Sequence, residues 1–128
     1  MIRTCLIACL LLVATVAGAQ HIKRLLLFAH DSTNSELQRQ LEVLRADSAG
    51  IVAHNIWIAV FDAPRKMRRV YEYHRIGGSP FTLVLVGNGG EEWFRSEAPV
   101  EPRVIYQIIE RKEQTASPPA QRPKGNSP

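Results

Sequence analysis

Three apolar runs of strand length constrain the fold of this chain more than any other feature. The first, Lys23 to Ala29, is continuous in apolar residues after its basic start and suits a strand covered on both faces. The second, Ile56 to Phe61, is rich in β-branched and aromatic residues, which predicts another buried strand with Trp57 in the core. The third, Phe81 to Val86, predicts a strand that leads into a hairpin.

The hairpin is the clearest local signal. Phe81–Val86 and Glu91–Arg95 flank the turn sequence Gly87-Asn88-Gly89-Gly90, and glycine and asparagine adopt positive φ at the lowest energetic cost. Trp93 follows this turn. Its position leaves two alternatives open, a buried residue or a partly exposed residue that contacts a partner.

Helical periodicity separates the strands. Leucines recur at helical spacing after the first strand, at Leu37, Leu41 and Leu44. Asn34 or Ser35 is placed to cap the free amides at the start of this helix, and Gly50 is expected to end the segment.

A second helix is predicted after the second strand, with Asp62 as its cap and Pro64 in its first turn. It has an apolar stripe consisting of Met67, Val70, Tyr71 and His74. The opposite face is basic and consists of Arg65, Arg68, Arg69 and Arg75. This face is typical of a solvated helix surface, and Arg68 and Arg69 are also candidates for a partner-binding surface.

A last helix is predicted from Pro102, which suits a first helical position. Its buried side is expected to consist of Val104, Ile105, Ile108 and Ile109. The resulting order, β-α-β-α-β-β-α, combines two parallel strands joined by a right-handed crossover with an antiparallel hairpin and a final helix. We therefore predict an α/β, three-layer sandwich around a mixed four-stranded sheet.

This arrangement resembles the thioredoxin fold. Leu27-Phe28-Ala29 matches the end of the first core strand of a thioredoxin, which places Ser32-Thr33-Asn34-Ser35 where that family carries Cys-x-x-Cys. The segment Ser79-Pro80-Phe81-Thr82 lies where the family has a cis-proline before its third strand. The resemblance implies that these two segments are neighbours in the folded chain.

A closer resemblance covers residues 23–113. The segments RLLLFA, MRRVYEY and FTLVLVGNGGEEWFRSEAPV resemble an uncharacterised bacterial family of exported proteins, known as domain of unknown function 4174. That family is similar in fold to peroxiredoxin-like domains of animal matrix proteins. The resemblance implies export and a thioredoxin-like or peroxiredoxin-like fold, without implying an activity.

Residues 1–19 read as a signal peptide. Arg3 supplies the positive charge, Cys5 to Val16 form an apolar region shorter than the roughly twenty residues of a bilayer span, and Ala17-Gly18-Ala19 offers a cleavage site. We expect cleavage near Ala19 and an extracytoplasmic location, periplasmic or secreted, with no membrane span in the mature chain. Lipidation at Cys9 and a retained anchor are the alternatives.

The mature chain is expected to comprise a domain over residues 20–113 and a disordered, proline-rich tail over residues 114–128. Removal of Arg3 with the signal peptide leaves a net charge of about +3, which is ordinary for a soluble protein. No nucleic-acid-binding motif accompanies this charge, so we expect no nucleic-acid partner.

Both cysteines, Cys5 and Cys9, lie in the segment that we expect to be removed. Thiol chemistry requires a thiolate, which a helix N-terminus can favour by lowering a cysteine pKa from about 8.5. Ser32 occupies that place with a hydroxyl, which forms neither a mixed disulfide nor a sulfenic acid. A redox mechanism carried by the mature chain alone is therefore excluded.

Other chemistry finds little support in the sequence. His30, Asp31 and Ser32 include the residue types of a catalytic triad, but sequence neighbours rarely point at one another and no G-x-S-x-G motif surrounds Ser32. The histidines and Asp31 show no metal-ligand spacing, so we expect no metal and no cofactor.

The remaining hypothesis is binding. In this fold a helix N-terminus and a proline-preceded strand form a groove that can hold an extended peptide. The candidate residues are His30, Asp31, Ser32, Thr33, Asn34, Ser35 and Pro80, with Arg68, Arg69 and Trp93 as a possible partner surface. We predict a redox-inactive module that binds an unidentified protein or small ligand, with a peroxiredoxin-like or accessory redox function as the alternative.

Overall fold

A computed structural model describes residues 21–116, so the predicted signal peptide and residues 117–128 of the predicted tail lie outside the described residues. Within residues 21–116 the four strands are β1 (Lys23–Ala29), β2 (Ile56–Phe61), β3 (Phe81–Val86) and β4 (Glu92–Ser96). The four helices of this part of the chain are α1 (Ser35–Ala46), α2 (Ser48–Ala53), α3 (Arg68–Tyr73) and α4 (Pro102–Ala116). The predicted order is confirmed, with α2 as one additional short helix.

The strands form one mixed sheet in the order β2-β1-β3-β4. β1 runs parallel to β2, with Leu25 opposite Ile58, and antiparallel to β3, with Leu26 opposite Val84. β4 pairs antiparallel with β3, with a register irregularity between Leu85 and Val86. The two edges of the sheet are therefore β2 and β4.

Each face of the sheet carries its own apolar cluster, which makes three layers. On the first face, side chains of α1, α2 and α4 pack on the strands, and this cluster includes Leu37, Ile51 and Ile105. On the second face, Phe28 and its neighbours on β1 and β3 meet Tyr71 of α3. Because α3 has only six residues, the second face is covered by far less helix than the first.

The prediction that β2 is a buried strand is wrong for most of its length. Ile56 is buried, but Trp57 is 65% exposed, and Ile58 and Val60 are 36% and 39% exposed. The reason is the place of β2 at the edge of the sheet, which leaves its outer side uncovered. Residue composition alone does not distinguish an apolar edge strand from a central one.

Gly50 does not end the first helix. α1 ends at Ala46, and Gly50 lies inside α2, where a Cβ atom would come within 2.5 Å of the Tyr106 hydroxyl. That hydroxyl donates a hydrogen bond to Asp47 Oδ2 over 2.8 Å. Glycine therefore allows the close approach of α4 to the junction between α1 and α2, and a larger residue would displace the Asp47 and Tyr106 side chains.

Three further helix predictions need correction. Pro64 lies in a turn closed by hydrogen bonds from Lys66 and Met67 to Ala63, and α3 begins only at Arg68. Met67 lies outside the apolar cluster of the second face and is exposed. In α4, Ile105 and Ile109 are buried as predicted, but Val104 is 37% exposed. α4 continues to Ala116.

Two buried polar side chains join distant parts of the chain. The amide of Gln40 donates to the Val100 carbonyl over 2.9 Å and accepts from the Val100 N–H over 2.7 Å. Lys23, at the start of β1, forms an ion pair with Glu113 of α4. No helix within residues 21–116 is both long and apolar enough to span a membrane.

Candidate functional site

The loop between β1 and α1 is ordered by its own side chains. The Asp31 carboxylate accepts hydrogen bonds from the Thr33 hydroxyl over 2.6 Å and from the Thr33 N–H over 2.8 Å. These bonds, the side-chain bond first, lower the pKa of Asp31. Asp31 therefore holds a tight turn, and Thr33 occupies one of its two carboxylate oxygens, Oδ1.

Asn34 connects this loop to the start of β3. Its Oδ1 accepts a hydrogen bond from Leu37 N over 2.8 Å, which caps α1, and its Nδ2 donates to the Pro80 carbonyl over 3.3 Å. The structure thus brings together the two segments that the thioredoxin resemblance placed side by side. All peptide bonds in the described residues are trans, so the Ser79–Pro80 bond is trans here.

Ser32 is exposed and lies in the turn before α1. Its carbonyl accepts a hydrogen bond from Gln38 Nε2 over 2.6 Å. Within residues 21–116, no hydrogen bond joins the Ser32 hydroxyl to His30 or Asp31. The three residue types of a triad are therefore neighbours in sequence without the mutual contacts that nucleophilic catalysis requires.

A cleft of about 210 Å³ opens beside this loop, at the carboxyl end of β1. Its apolar lining includes Phe28 and Ala29 at the end of β1 and Ile76 after α3. Its polar lining includes His30, Arg68 and Glu72. His30, the first residue of the candidate loop, is thus shared between the loop and the cleft.

Tyr71 holds the two strand ends at the cleft together. Its hydroxyl lies 2.8 Å from the Ala29 carbonyl and 2.7 Å from the Phe61 carbonyl, so its single O–H is shared between oxygens at the ends of β1 and β2. Its ring packs edge-on against Phe28, with 5.1 Å between the ring centroids. Burial, with a smaller effect of the Asp62 charge, raises the pKa of Tyr71, so the hydroxyl remains a donor.

The two candidate arginines differ in their positions. Arg68 lines the cleft, and its Nε donates to Glu72 Oε1 over 2.9 Å in an exposed ion pair. Such a pair contributes little to stability, so Arg68 can exchange Glu72 for an acidic or carbonyl group of a ligand at low cost. Arg69 is exposed and does not line this cleft.

Trp93 does not belong to this site. Pro80 precedes the first residue of β3, whereas Trp93 packs against Gly87, which follows its last residue, so the two lie at opposite ends of that strand. The Trp93 indole also packs on the apolar cluster of the first face, and its Nε1 donates to Glu91 Oε1 over 3.0 Å. Of the two alternatives for Trp93, the structure favours a packing role.

A wider concavity of about 450 Å³ lies next to the end of α3 and includes His74, Glu92 and Arg95. Arg95 donates to the His74 carbonyl over 2.5 Å and pairs with Glu92 over 2.7 Å, so its guanidinium caps the helix end. Burial first, and then the Arg95 charge, lower the pKa of His74. The Arg95 guanidinium is therefore already engaged by the protein itself.

The histidines do not converge. His54 stacks on Tyr106 with 4.1 Å between ring centroids, and His74 lies 5.5 Å from the Phe28 ring. Among residues 21–116, no group of three or more histidine, cysteine, aspartate or glutamate side chains is arranged to hold a metal ion.

No protein-family model matches the chain, and no curated protein matches it. Solved structures do. Thioredoxin-2, described as a component of the protein secretion machinery of the malaria parasite, is 14% identical, with a TM-score of 0.53 over 71% of this chain and 84% of that chain. Chloroplastic thioredoxin z is 16% identical, with a TM-score of 0.56 over 80% of this chain and 88% of that chain.

The thioredoxin Deadhead of Drosophila melanogaster is 9% identical, with a TM-score of 0.53 over 76% of this chain and 88% of that chain. The fold is thioredoxin-like. At these identities the likeness establishes the fold alone. In this thioredoxin-like domain, residues 32–35 lie between β1 and the start of α1, as the sequence resemblance implied, and contain serine, threonine and asparagine.

Sequence reasoning missed several residues that shape the cleft. The sequence predicts Tyr71 only as part of an apolar stripe. The contact of its hydroxyl with the ends of β1 and β2 depends on how those strands are placed in the fold. Ile76 and Gly77 line the cleft from a segment without any periodic signal. Gln40 did carry a signal, because it is a polar residue three positions after Leu37 and four before Leu44, on the buried side of α1.

Proposed function

We propose that this chain is an exported, redox-inactive, thioredoxin-like domain that binds an extended segment of a partner protein beside the loop of residues 30–34. The observation that carries this proposal is the cleft at the carboxyl end of β1, to which that loop contributes His30. The carboxyl ends of strands in α/β sheets are a frequent place for ligand binding. A small ligand in the same cleft is the other form of the binding hypothesis.

The size of the cleft favours a peptide. Sites for cofactors and drug-sized ligands have volumes of about 300–1,000 Å³. A cleft of about 210 Å³ is smaller and accommodates a single side chain or a small molecule. A partner that gains most of its affinity from backbone contacts and one anchored side chain fits this space better than a large cofactor does.

The chemistry of the lining indicates the character of that anchor. Phe28, Ala29 and Ile76 offer an apolar surface, whereas His30 and Arg68 offer polar groups at the boundary. We therefore propose an extended peptide that places one apolar side chain in the cleft and a carbonyl or carboxylate group near Arg68. Arg69 and Trp93 are not part of this proposed site.

The absence of redox activity is supported by the sequence, because residues 10–128 contain no cysteine. Without a thiolate the domain cannot form a mixed disulfide. The competing redox function is tested by insulin reduction and peroxide consumption with the purified protein. We expect no turnover above buffer, and measurable turnover would refute redox inactivity while leaving the binding site to be tested separately.

Export is supported by the charged, apolar and small-residue regions of residues 1–19. Membership of the exported bacterial family of unknown function is proposed on the same segments that carry the resemblance. N-terminal sequencing of protein recovered outside the cytoplasm is the direct test. A new N-terminus at Gln20 is expected, whereas recovery of chains that retain Cys5 and Cys9 would contradict the proposal.

Binding at the cleft is tested by photocrosslinking in the native compartment. A photoreactive residue in place of exposed His30 lies at the boundary of the cleft and should label the bound partner. Gly77→Leu should fill the cleft, because a Cβ atom at Gly77 meets nothing within 4 Å and the added side chain therefore projects into open space. We expect partner recovery to fall at least tenfold in this variant.

Gly78→Leu is the matched control. Gly78 is the next residue, a Cβ atom there also meets nothing within 4 Å, and Gly78 does not line the cleft. Partner recovery with Gly78→Leu should equal that of the unmodified chain. Equal recovery with Gly77→Leu and Gly78→Leu would rule out the cleft as the binding site.

A further inference from the structure

The outer edge of β2 is an exposed, uncharged and apolar strand. Among the described residues no strand lies beside β2 on the side away from β1, and Trp57, Ile58 and Val60 are all substantially exposed. Natural sheets commonly protect an edge with charged side chains, proline or a β-bulge, because unpaired backbone groups template pairing with another strand. The sequence IWIAVF has no charged residue and no proline, and its pairing with β1 is regular.

The free backbone groups of this edge can be assigned from the parallel ladder. Lys23 is in register with Ile56, and the Lys23 N–H donates to the Asn55 carbonyl over 2.9 Å. In a parallel pair, alternate residues of each strand direct both backbone groups to the neighbour. Trp57 and Ala59 therefore direct their backbone N–H and C=O groups to β1. The residues that direct their backbone groups outward, away from β1, are Ile56, Ile58 and Val60.

We propose that this edge pairs in antiparallel orientation with β2 of a second copy of the chain, around a two-fold axis that passes through Ile58. The two four-stranded sheets then form one continuous sheet. A symmetric, self-complementary contact of this kind is the commonest way in which identical chains associate.

Backbone hydrogen bonding selects the position of the axis. With the axis at Ile58, Ile58 lies opposite its own copy and Ile56 lies opposite Val60, so every outward-facing residue belongs to a hydrogen-bonded pair. With the axis moved one residue, to Ala59, Ile58 would pair with Val60 and Ile56 would extend beyond the strand of the other copy. The axis at Ile58 therefore forms more hydrogen bonds than its neighbour.

Side-chain size also fits this register. Residues that lie opposite one another in antiparallel strands project from the same face. On the first face, Ile56, Ile58 and Val60 of one copy lie opposite Val60, Ile58 and Ile56 of the other, so β-branched apolar side chains meet along the whole pair. On the second face, Trp57 lies opposite Ala59 of the other copy, so the most exposed side chain of the strand meets the smallest one.

Charge complementarity supports an identical partner in antiparallel orientation. The amino end of β2 lies near Glu110 of α4, which contacts His54 over 3.3 Å, whereas the charge of Glu113 is balanced by Lys23. The carboxyl end is followed by Asp62 and then by Arg65 and Lys66, which together carry a net charge of +1. Antiparallel pairing brings this end of one copy towards the end of the other copy that carries Glu110, which modestly favours association.

The first test is sedimentation velocity of the purified chain over a range of concentrations. We expect a reversible monomer–dimer equilibrium, and we expect Ile58→Lys to shift it towards monomer by at least tenfold in dissociation constant, because two lysines would face each other at the axis. Val104→Lys is the matched control, since Val104 is 37% exposed on α4, compared with 36% for Ile58. It should leave the equilibrium unchanged.

The second test does not depend on destabilising the interface. A hydrogen-bonded antiparallel pair has about 5.5 Å between Cα atoms, within the range of about 4.4–6.8 Å that disulfides span. Ile58→Cys should therefore form an intermolecular disulfide under mild oxidation. Val60→Cys should not, because Val60 is displaced from its own copy by four residues, about 13 Å. Cys5 and Cys9, if retained in the purified chain, are replaced with serine in both variants.

The proposal concerns a surface separate from the cleft, so its failure would not affect the proposed binding function. A chain that remains monomeric at high micromolar concentration would overturn it. A dimer that persists in Ile58→Lys, or equal disulfide formation by Ile58→Cys and Val60→Cys, would also overturn it. In a Trp93→Phe background, Trp57 fluorescence typical of a buried indole in a monomeric chain would show that another segment of the chain covers the edge, and it would overturn the proposal as well.

Discussion

The side-chain amide of Gln40 pairs with the backbone of Val100 through two hydrogen bonds, 2.9 Å and 2.7 Å long, although sixty residues separate the two in sequence. Gln40 is completely buried in α1, and Val100 precedes α4. The amide therefore acts as a short piece of backbone and fixes the segment that leads from β4 into α4.

We predict that Gln40→Met reduces the free energy of unfolding by at least about 2 kcal/mol, because the Val100 N–H and carbonyl lose their partners while the side-chain volume is nearly kept. Urea unfolding monitored by circular dichroism measures this change. Gln107→Met, at an exposed position of α4, is the control and should change the value by less than about 0.5 kcal/mol. A similar effect of both variants would refute the role of Gln40.

Tyr71→Phe should destabilise the domain by about 1–2 kcal/mol, because the Ala29 and Phe61 carbonyls lose their donor. Hydrogen exchange should also become faster near the ends of β1 and β2. Tyr73→Phe removes a hydroxyl from the same helix at a residue that is 79% exposed, so it should have little effect. Unchanged stability of Tyr71→Phe would mean that water replaces the lost hydroxyl.

Gly87→Ala tests the packing of Trp93. A Cβ atom at Gly87 would come within 2.6 Å of the Trp93 indole nitrogen, so the ring must move. We expect a loss of about 1–3 kcal/mol in the free energy of unfolding, as for other overpacked sites. In a Trp57→Phe background, the emission of Trp93 should also shift to longer wavelength. Gly78→Ala, where a Cβ atom meets nothing within 4 Å, should change neither measurement.

His74 should make stability depend on pH. Burial, with a smaller effect of Arg95, lowers its pKa in the folded chain below the usual value of 6.5. As pH falls below about 6.5, the unfolded chain takes up a proton that the folded chain does not yet bind, so the free energy of unfolding decreases. His74→Gln should weaken this decrease between pH 7.5 and 5.5, measured by urea unfolding. Exposed His30, replaced with glutamine, is the control.

The order of strands and helices could be predicted because each segment carries its own periodicity. The burial of β2 could not, because the sequences of β2 and β3 are both apolar and only the sheet order places β2 at an edge. The two tryptophans show the consequence. Trp57 was predicted in the core and is exposed, whereas Trp93 packs on the core cluster.

The candidate site was predictable in part. The resemblance to thioredoxins predicts that the segments containing Asn34 and Pro80 are neighbours. The Asn34 side chain does donate a hydrogen bond to the Pro80 carbonyl. The cleft itself depends on Tyr71, Ile76 and Gly77, whose positions are set by a six-residue helix and an irregular segment. No local pattern encodes how such a segment crosses the end of a sheet.

The two edges of the sheet differ in a way that limits assembly size. β4 carries Glu92 and Arg95 and pairs irregularly with β3, whereas β2 is regular and uncharged. If both edges were alike, strand addition could continue from molecule to molecule and produce a filament. If the β2 edge pairs as proposed and the charged β4 edge does not, one pairing event uses the β2 edge of each copy, and the proposed assembly contains two copies.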